Sequence, residues 1–275
     1  MIKLIAIDLD GTFLTSKKEV LDANRLAVHE ALAQNIEVLI CTGRTLPGVA
    51  RFIDQIFPPD YAPYLILQNG AAIHHQADHR LMWGQYQSKE AMAALMAHFF
   101  ANKPQDLQLV AFDQDHLYLI EDQEASEIVI ADAHTLATPI TKVTQDFVLC
   151  HAAIFKMMVL GPKQALDAWS QTIPLEVKTV FDVVRSQPII IEFLSPQTNK
   201  ATALSRLAET LSIDQTQVMA IGDEENDREM LEWAGLSVVM GNATDDLKAL
   251  ADYVTTTNDQ AGVANAIKTL VLSQE

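Results

Sequence analysis

The segment that most constrains this chain is Lys3-Leu-Ile-Ala-Ile-Asp-Leu-Asp-Gly-Thr12. Leu4 to Ile7 form an unbroken apolar run with no polar alternation, the pattern of a strand buried on both faces of a parallel sheet. Asp8 and Asp10 follow immediately, with Gly11-Thr12 behind them. Open α/β sheets place their ligand crevice at the carboxyl ends of their strands, and two carboxylates two residues apart can share one hard cation through oxygen ligands. Acidic residues at strand ends also cap helices, so this pair alone does not settle a function.

Periodicity extends the first strand into a βαβ unit. Asp22–Asn35 carries a helical stripe at Leu26, Ala27, Ala31 and Leu32, and Glu37–Cys41 is the next strand. A helix opens at Pro47-Gly48 and runs to about Ile56, and a short strand Tyr64–Leu67 ends at Gln68-Asn69-Gly70. From about Trp83 the rhythm changes. A helix over Ser88–Ala101, strands on either side of Asp113–Asp115, a helix near Glu124–His134, a strand Ile154–Leu160, a helix after Pro162, and strands around Leu175–Val184 and Ile189–Leu194 predict an inserted α+β unit. After Pro196 the alternation returns, with a helix from Lys200, a strand Gln217–Ile221, a helix Asn226–Trp233, a strand Leu236–Met240 and a helix Ala243–Ala251. The expected architecture is therefore α/β: a doubly wound, mostly parallel, Rossmann-like sheet over 1–83 and 188–275, with an α+β cap inserted over 84–187.

Composition narrows the partners. Nineteen Lys and Arg against 36 Asp and Glu give a formal charge of -17, a field that repels nucleic-acid backbones. The same field repels anionic metabolites, so such a ligand requires a local donor cluster or a bound cation. No apolar run is long enough for a membrane span or a signal segment, and two cysteines make neither a disulfide framework nor a zinc pattern. These features predict a cytoplasmic protein without nucleic-acid or membrane partners, either a monomer or a homodimer.

Three further strings end or open core elements. Thr42-Gly43-Arg44 offers a hydroxyl and a backbone N–H in a loop suited to an anion. Gly222-Asp223-Glu224-Glu225-Asn226-Asp227 concentrates acids that need a positive partner nearby. Lys200, at a helix start, can supply one such charge, although a single lysine there is ordinarily solvated. His74, His75 and His79 lack a carboxylate or thiol at ligand spacing and read as solvated loop. Cys41 reads as a small buried hydrophobe, Met92, Met96, Phe99 and Phe100 as cap core, and Asp54, Asp60 and Asp78 as surface acids.

In combination and in order, DLDGT, hydroxyl-Gly-Arg, the helix-opening lysine and GDxxND resemble the four motifs of the haloacid dehalogenase-like phosphatase superfamily. The strings NGA (69–71), AG (234–235), MGNA (240–243) and GV (262–263) resemble its Cof-type branch, which carries a type IIB cap. The resemblance implies a phosphatase acting on small phosphorylated metabolites, sugar phosphates first among them, with Mg²⁺ as cofactor. Carried over by motif, it implies Asp8 as nucleophile and metal ligand, and Asp10 as acid and base with its carbonyl on the metal. Leu9 N–H, Thr42, Gly43 N–H, Lys200 and Asn226 would hold the phosphate oxygens, with Asp223 on the metal and Asp227 orienting from behind it. Arg44, Asn69 and Gly70 fall near the substrate. Where the branch typically reads Ser-Lys-Gly, this chain reads Asn199-Lys200-Ala201, which adds a methyl at a close backbone approach. The rival functions are a phosphomutase using the same aspartyl phosphate, a phospho-accepting signalling module, and a ligand-binding protein with little turnover.

Overall fold

A computed structural model describes residues 1–76, 80–102, 105–121 and 124–273. The chain divides into two compact units. The first comprises Met1–Gly43, Val49–Trp83 and Asn199–Glu275, and the second Arg44–Gly48 and Gly84–Thr198.

The first unit is built on an eight-stranded sheet. Its spatial order is Tyr253–Val254, Leu236–Val239, Val218–Gly222, Leu4–Ile7, Glu37–Cys41, Tyr64–Leu67, Ala72–His75 and Arg80–Gly84. The first six strands are parallel, and Ala72–His75 turns back antiparallel to Tyr64–Leu67. The strand pleat explains why Leu4–Ile7 is apolar throughout. Leu4 and Ala6 join Leu39, Cys41 and Ile66 under the helices Lys200–Thr210 and Arg228–Trp233, while Ile5 and Ile7, equally buried, point to the other face. Helix Asp22–Ala33 packs on Glu37–Cys41 and on helix Gly262–Ile267, where Ala264 N–H donates to the buried Asn24 Oδ1 at 3.0 Å. That helix stops short of the expected Asn35 because Asn35 is left-handed (φ 59°), a conformation asparagine tolerates at a helix end.

The order in which the strands are connected reverses beside the first strand. From Leu4–Ile7 the sheet grows one way through Glu37–Cys41 and the other way through Val218–Gly222. The carboxyl ends of these strands therefore flank a topological switch point, the general position of ligand crevices in doubly wound sheets. The doubly wound core is as the sequence predicts.

The second unit has its own six-stranded sheet, ordered Asp182–Gln187, Ile190–Leu194, Lys156–Leu160, Gln108–Phe112, Leu117–Ile120 and Ile140–Val143. All pairs are antiparallel except the last. Met92, Met96 and Phe99 of helix Lys89–Ala101 pack with Trp169, Val177, Phe181 and Phe193 in one core, and Phe100 lies half-buried against it.

The structure departs from the sequence reading at three places. Ile190–Leu194 pairs with Lys156–Leu160 inside the second unit, so the chain rejoins the first unit at Asn199 rather than near residue 188. Leu175–Val180 is a helix, not a strand. Its apolar residues suggest alternation, yet Val177 and Phe181, one helical turn apart, are the buried pair, while Leu175 is 75% exposed. His74 lies not in a solvated loop but in strand Ala72–His75, where burial pushes its imidazole down to about 4 and holds it neutral. The His75 ring lies tilted against Tyr64, centroids 4.7 Å apart, while His79 and Asp78 lie outside the described residues.

Trp169 tests the second core. It is buried between Phe99 and Phe193, with ring centroids 5.6 and 6.1 Å away. Trp169→Ala is expected to lower stability by about 3–5 kcal/mol in denaturant titrations. Trp169→Phe is expected to lose much less, because the buried indole N–H has no hydrogen-bond partner among the described residues.

Candidate active site

The first unit gathers its charges at the switch point. Asp8 ends the strand Leu4–Ile7, and its own N–H donates to Ile221 O at 2.9 Å, tying it to the neighbouring strand end. The following loop is tight, with Phe13 N–H donating to Asp8 O (3.2 Å) and Leu14 N–H to Leu9 O (2.9 Å). Gly11 permits that loop at φ 87°, where a Cβ would also collide with the Asp223 carboxylate. Leu9 is fully buried within it.

Lys200 opens the helix Lys200–Thr210 and is completely buried. Its Nζ lies 2.6 Å from Asp8 Oδ1 and 2.6 Å from Asp227 Oδ1. The other oxygen of Asp227 accepts from the N–H groups of Asp223 (2.9 Å) and Glu224 (3.1 Å). Asp223 in turn accepts from Thr12 Oγ1 at 2.7 Å and from Asn242 Nδ2 at 3.1 Å. Carboxylate oxygens of Asp8, Asp223 and Asp227 all lie within 4.8 Å of one another.

Burial sets the electrostatics. It pushes the Asp8 carboxyl well above the usual carboxylate range, with Lys200 pulling the other way and the neighbouring aspartates reinforcing it. Burial likewise pushes Asp223 up to about 7, against the Thr12 hydrogen bond. Lys200 is the converse case: burial opposes its charge, but Asp227 and Asp8 hold the ammonium above the usual lysine range. Burial also pushes the Cys41 thiol up, which makes it a packed hydrophobe rather than a nucleophile. Three buried carboxylates thus share a single ammonium. That surplus of hard oxygen donors fits a divalent cation such as Mg²⁺. Asp8 and Asp223 are placed to hold it, whereas both oxygens of Asp227 are already committed to Lys200 and the backbone.

Of the remaining sequence-predicted residues, Thr42, Gly43, Asn69, Gly70 and Asn226 are linked through one turn, whereas Asp10 and Arg44 have other partners. Thr42 ends Glu37–Cys41, is buried, and donates its N–H to Ile66 O at 2.9 Å. Gly43 lies against the Asn69 side chain, where a Cβ would come within 2.9 Å of Asn69 Oδ1. Asn226 donates through Nδ2 to the same oxygen at 3.1 Å. Gly70, at φ 95°, abuts the Asn199 carbonyl ahead of Lys200. Asp10 points to Lys18, 2.8 Å away, in a partly exposed ion pair. Arg44 lies in the second unit, where Nη1 of its buried guanidinium donates to the carbonyls of Gly48 (3.2 Å) and Thr135 (3.4 Å).

Sequence reasoning assigned no role to Thr12, Asn242 or Lys18. Asn242 also donates to Gly11 O (2.9 Å) and accepts from Asn258 N–H (3.0 Å), so it laces the acid loop to the far end of the chain. Its one signal was the MGNA string.

Comparison with known proteins agrees with this geometry. A family model for haloacid dehalogenase-like hydrolases matches residues 5–267. The Bacillus subtilis protein YxeH is 32% identical over 274 residues, covering all of both chains. The 5-amino-6-(5-phospho-D-ribitylamino)uracil phosphatase YwtE of the same organism is 31% identical, covering 99% of each. A solved haloacid dehalogenase-like hydrolase from Bacteroides thetaiotaomicron superposes with a TM-score of 0.86 at 28% identity, covering 98% of this chain and 99% of that one. The chain belongs to the haloacid dehalogenase-like hydrolases and is a phosphatase-type enzyme of their Cof-type branch.

The raised Asp223 carboxyl has a consequence for stability. A folded-state value near 7, above the unfolded value of about 3.9, means that the native protein binds the extra proton in between. In EDTA, wild-type protein is therefore expected to lose stability relative to Asp223→Asn as pH rises from about 4 to about 7, and to level off above that. Paired thermal melts across this range check the sign.

Proposed function

We propose that this chain is a Mg²⁺-dependent phosphatase that hydrolyses small organic phosphate monoesters, sugar phosphates in particular, through a phosphoryl group carried on Asp8. The observation that carries the proposal is the buried Asp8 carboxylate, held 2.6 Å from Lys200 at the switch point with Asp223 beside it. Lys200 opposes the effect of burial on Asp8, and a bound divalent cation would do the same, so that Asp8 meets phosphorus as the carboxylate; the acyl phosphate it forms remains open to water.

Each residue then has a task. Asp8 Oδ attacks phosphorus as the ester P–O bond breaks, and Asp10 delivers a proton to the departing alkoxide. Water next attacks the phosphorus of the acyl phosphate while Asp10 takes up its proton, releasing inorganic phosphate and restoring Asp8. Lys200, the Thr42 hydroxyl, the Leu9 and Gly43 N–H groups and the Asn226 amide hold the equatorial oxygens, where charge accumulates. Mg²⁺ held by Asp8, Asp223 and the Asp10 carbonyl would supply charge neutralisation on the phosphoryl oxygens. Asp227 keeps Lys200 and the Asp223 backbone in place. Asp10 must leave Lys18 to reach a substrate, and an exposed pair of this kind resists by no more than about 1 kcal/mol.

The second unit is assigned the role of a cap that selects the leaving group. The substrate class follows from the resemblance and from YwtE, a relative named for a compound phosphorylated on a ribityl chain. Two unpaired cysteines support a cytoplasmic setting, and no described helix is long and apolar enough to cross a membrane.

Phosphate release from a panel of sugar phosphates, nucleotides and cofactor phosphates, with Mg²⁺ and with EDTA, tests the proposal. Release is expected only with the metal, and Asp8→Asn is expected to fall at least ~10³-fold while melting cooperatively. Asp10→Asn is expected to keep metal binding and to lose most of kcat. Turnover in Asp8→Asn above a few per cent of wild type, on the order of 10⁻² or more, excludes the covalent route.

A further inference from the structure

Three consecutive residues, Gln68, Asn69 and Gly70, sit in the left-handed region at φ 51°, 55° and 95°. Such backbone is sparsely populated outside glycine and asparagine, and it persists only where its surroundings enforce it. Here the contacts of Asn69 and Gly70 lead to groups assigned above to hold phosphate. Asn69 N–H donates to Thr42 O at 3.0 Å, and its Oδ1 accepts from Asn226 Nδ2 at 3.1 Å. Its side chain rests on Gly43, where there is no room for a Cβ, and Gly70 presses on the backbone from which Lys200 springs. One turn therefore touches the second, third and fourth motif elements together.

We propose that Asn69 is a positioning residue. Its side chain spans Gly43 and Asn226 and fixes the Gly43 N–H and the Asn226 amide relative to each other before substrate arrives, without itself touching the phosphoryl group. An Asn226 amide without this acceptor is free to rotate, so its donor is no longer aimed. The left-handed backbone explains the residue type: asparagine combines tolerance of positive φ with an acceptor of the right length. This inference rests on the phosphate-holding roles proposed above.

A double-mutant cycle on the full chain tests it. Asn69→Gly keeps the backbone conformation and its N–H while removing only the side chain. Asn69→Ser, whose side chain is too short to span to Asn226, runs in parallel, so that a folding defect in one variant does not decide the matter. Both are made in wild type and in Asn226→Ala. The readouts are kcat and KM for p-nitrophenyl phosphate, the affinity for inorganic phosphate by calorimetry, and melting temperature. In the wild-type background the Asn69 variants are expected to lower kcat about tenfold and phosphate affinity about fivefold, with KM following phosphate affinity and melting little changed. In the Asn226→Ala background the same changes are expected to cost less than about twofold, since the donor to be aimed is gone. Wild-type phosphate affinity in both Asn69 variants overturns the proposal. Losses equal in the two backgrounds also overturn it, because they show that Asn69 does not act through the Asn226 amide. A wild-type protein that releases no phosphate from any ester defeats the proposed function, yet the calorimetric cycle still decides the role of Asn69.

Discussion

The fully buried Lys200 ammonium, 2.6 Å from each of two buried carboxylates, is the interaction on which the rest of the site depends. Taking these charges out of water is unfavourable, and leaving any one of them without its partner is of the order of 3–5 kcal/mol worse. The three groups must therefore be delivered together by three different elements: a strand end, a helix start and the turn after Val218–Gly222. That demand explains much of the surrounding sequence. Gly222 leaves space for Asp227, since a Cβ there would come within 2.6 Å of it. The backbone N–H groups of Asp223 and Glu224 take the remaining Asp227 oxygen, so this residue is spent on holding the lysine. The negative charge left over falls on Asp8 and Asp223.

Features of the site that are local in sequence were legible, and those created by long-range packing were not. Asp8, Asp10, Gly11 and Asp223 are readable because a strand end announces itself by the switch from apolar to acidic residues. Lys200 is different. On its own it reads as a solvated helix start, and only residues 192 and 27 positions away make it a buried ion. Order of motifs, through family resemblance, supplied what local pattern lacked. Lys18 had neither aid, and Asn242 had only the MGNA string. Their partners Asp10 and Asp223 are fixed by loop geometry that no periodicity encodes.

The second unit was legible in class but less so in detail, for a physical reason. Its strands are short and largely antiparallel, and its helices run to six or eight residues in several cases, so a single apolar pair can satisfy either period. Leu175–Val180 shows this: Pro174 and two spaced valines suit an edge strand, and only the burial of Val177 beside Phe181 resolves the segment as a helix. The return of the chain at Asn199 was obscured similarly, because Ile190–Leu194 is as apolar as any strand of the first unit. Nothing in its composition says which sheet it joins.

The departure at Asn199-Lys200-Ala201 has a structural resolution. Asn199 is the helix N-cap, its side chain accepting from Thr202 N–H at 2.8 Å, a task asparagine performs as well as serine. Lys200 therefore keeps the first helical position. Gly70 closely approaches the Asn199 carbonyl ahead of Lys200, and Ala201 is half-buried. The constraint that binds the lysine motif is the Asn69-Gly70 turn facing it, more than the identity of the residue that follows it.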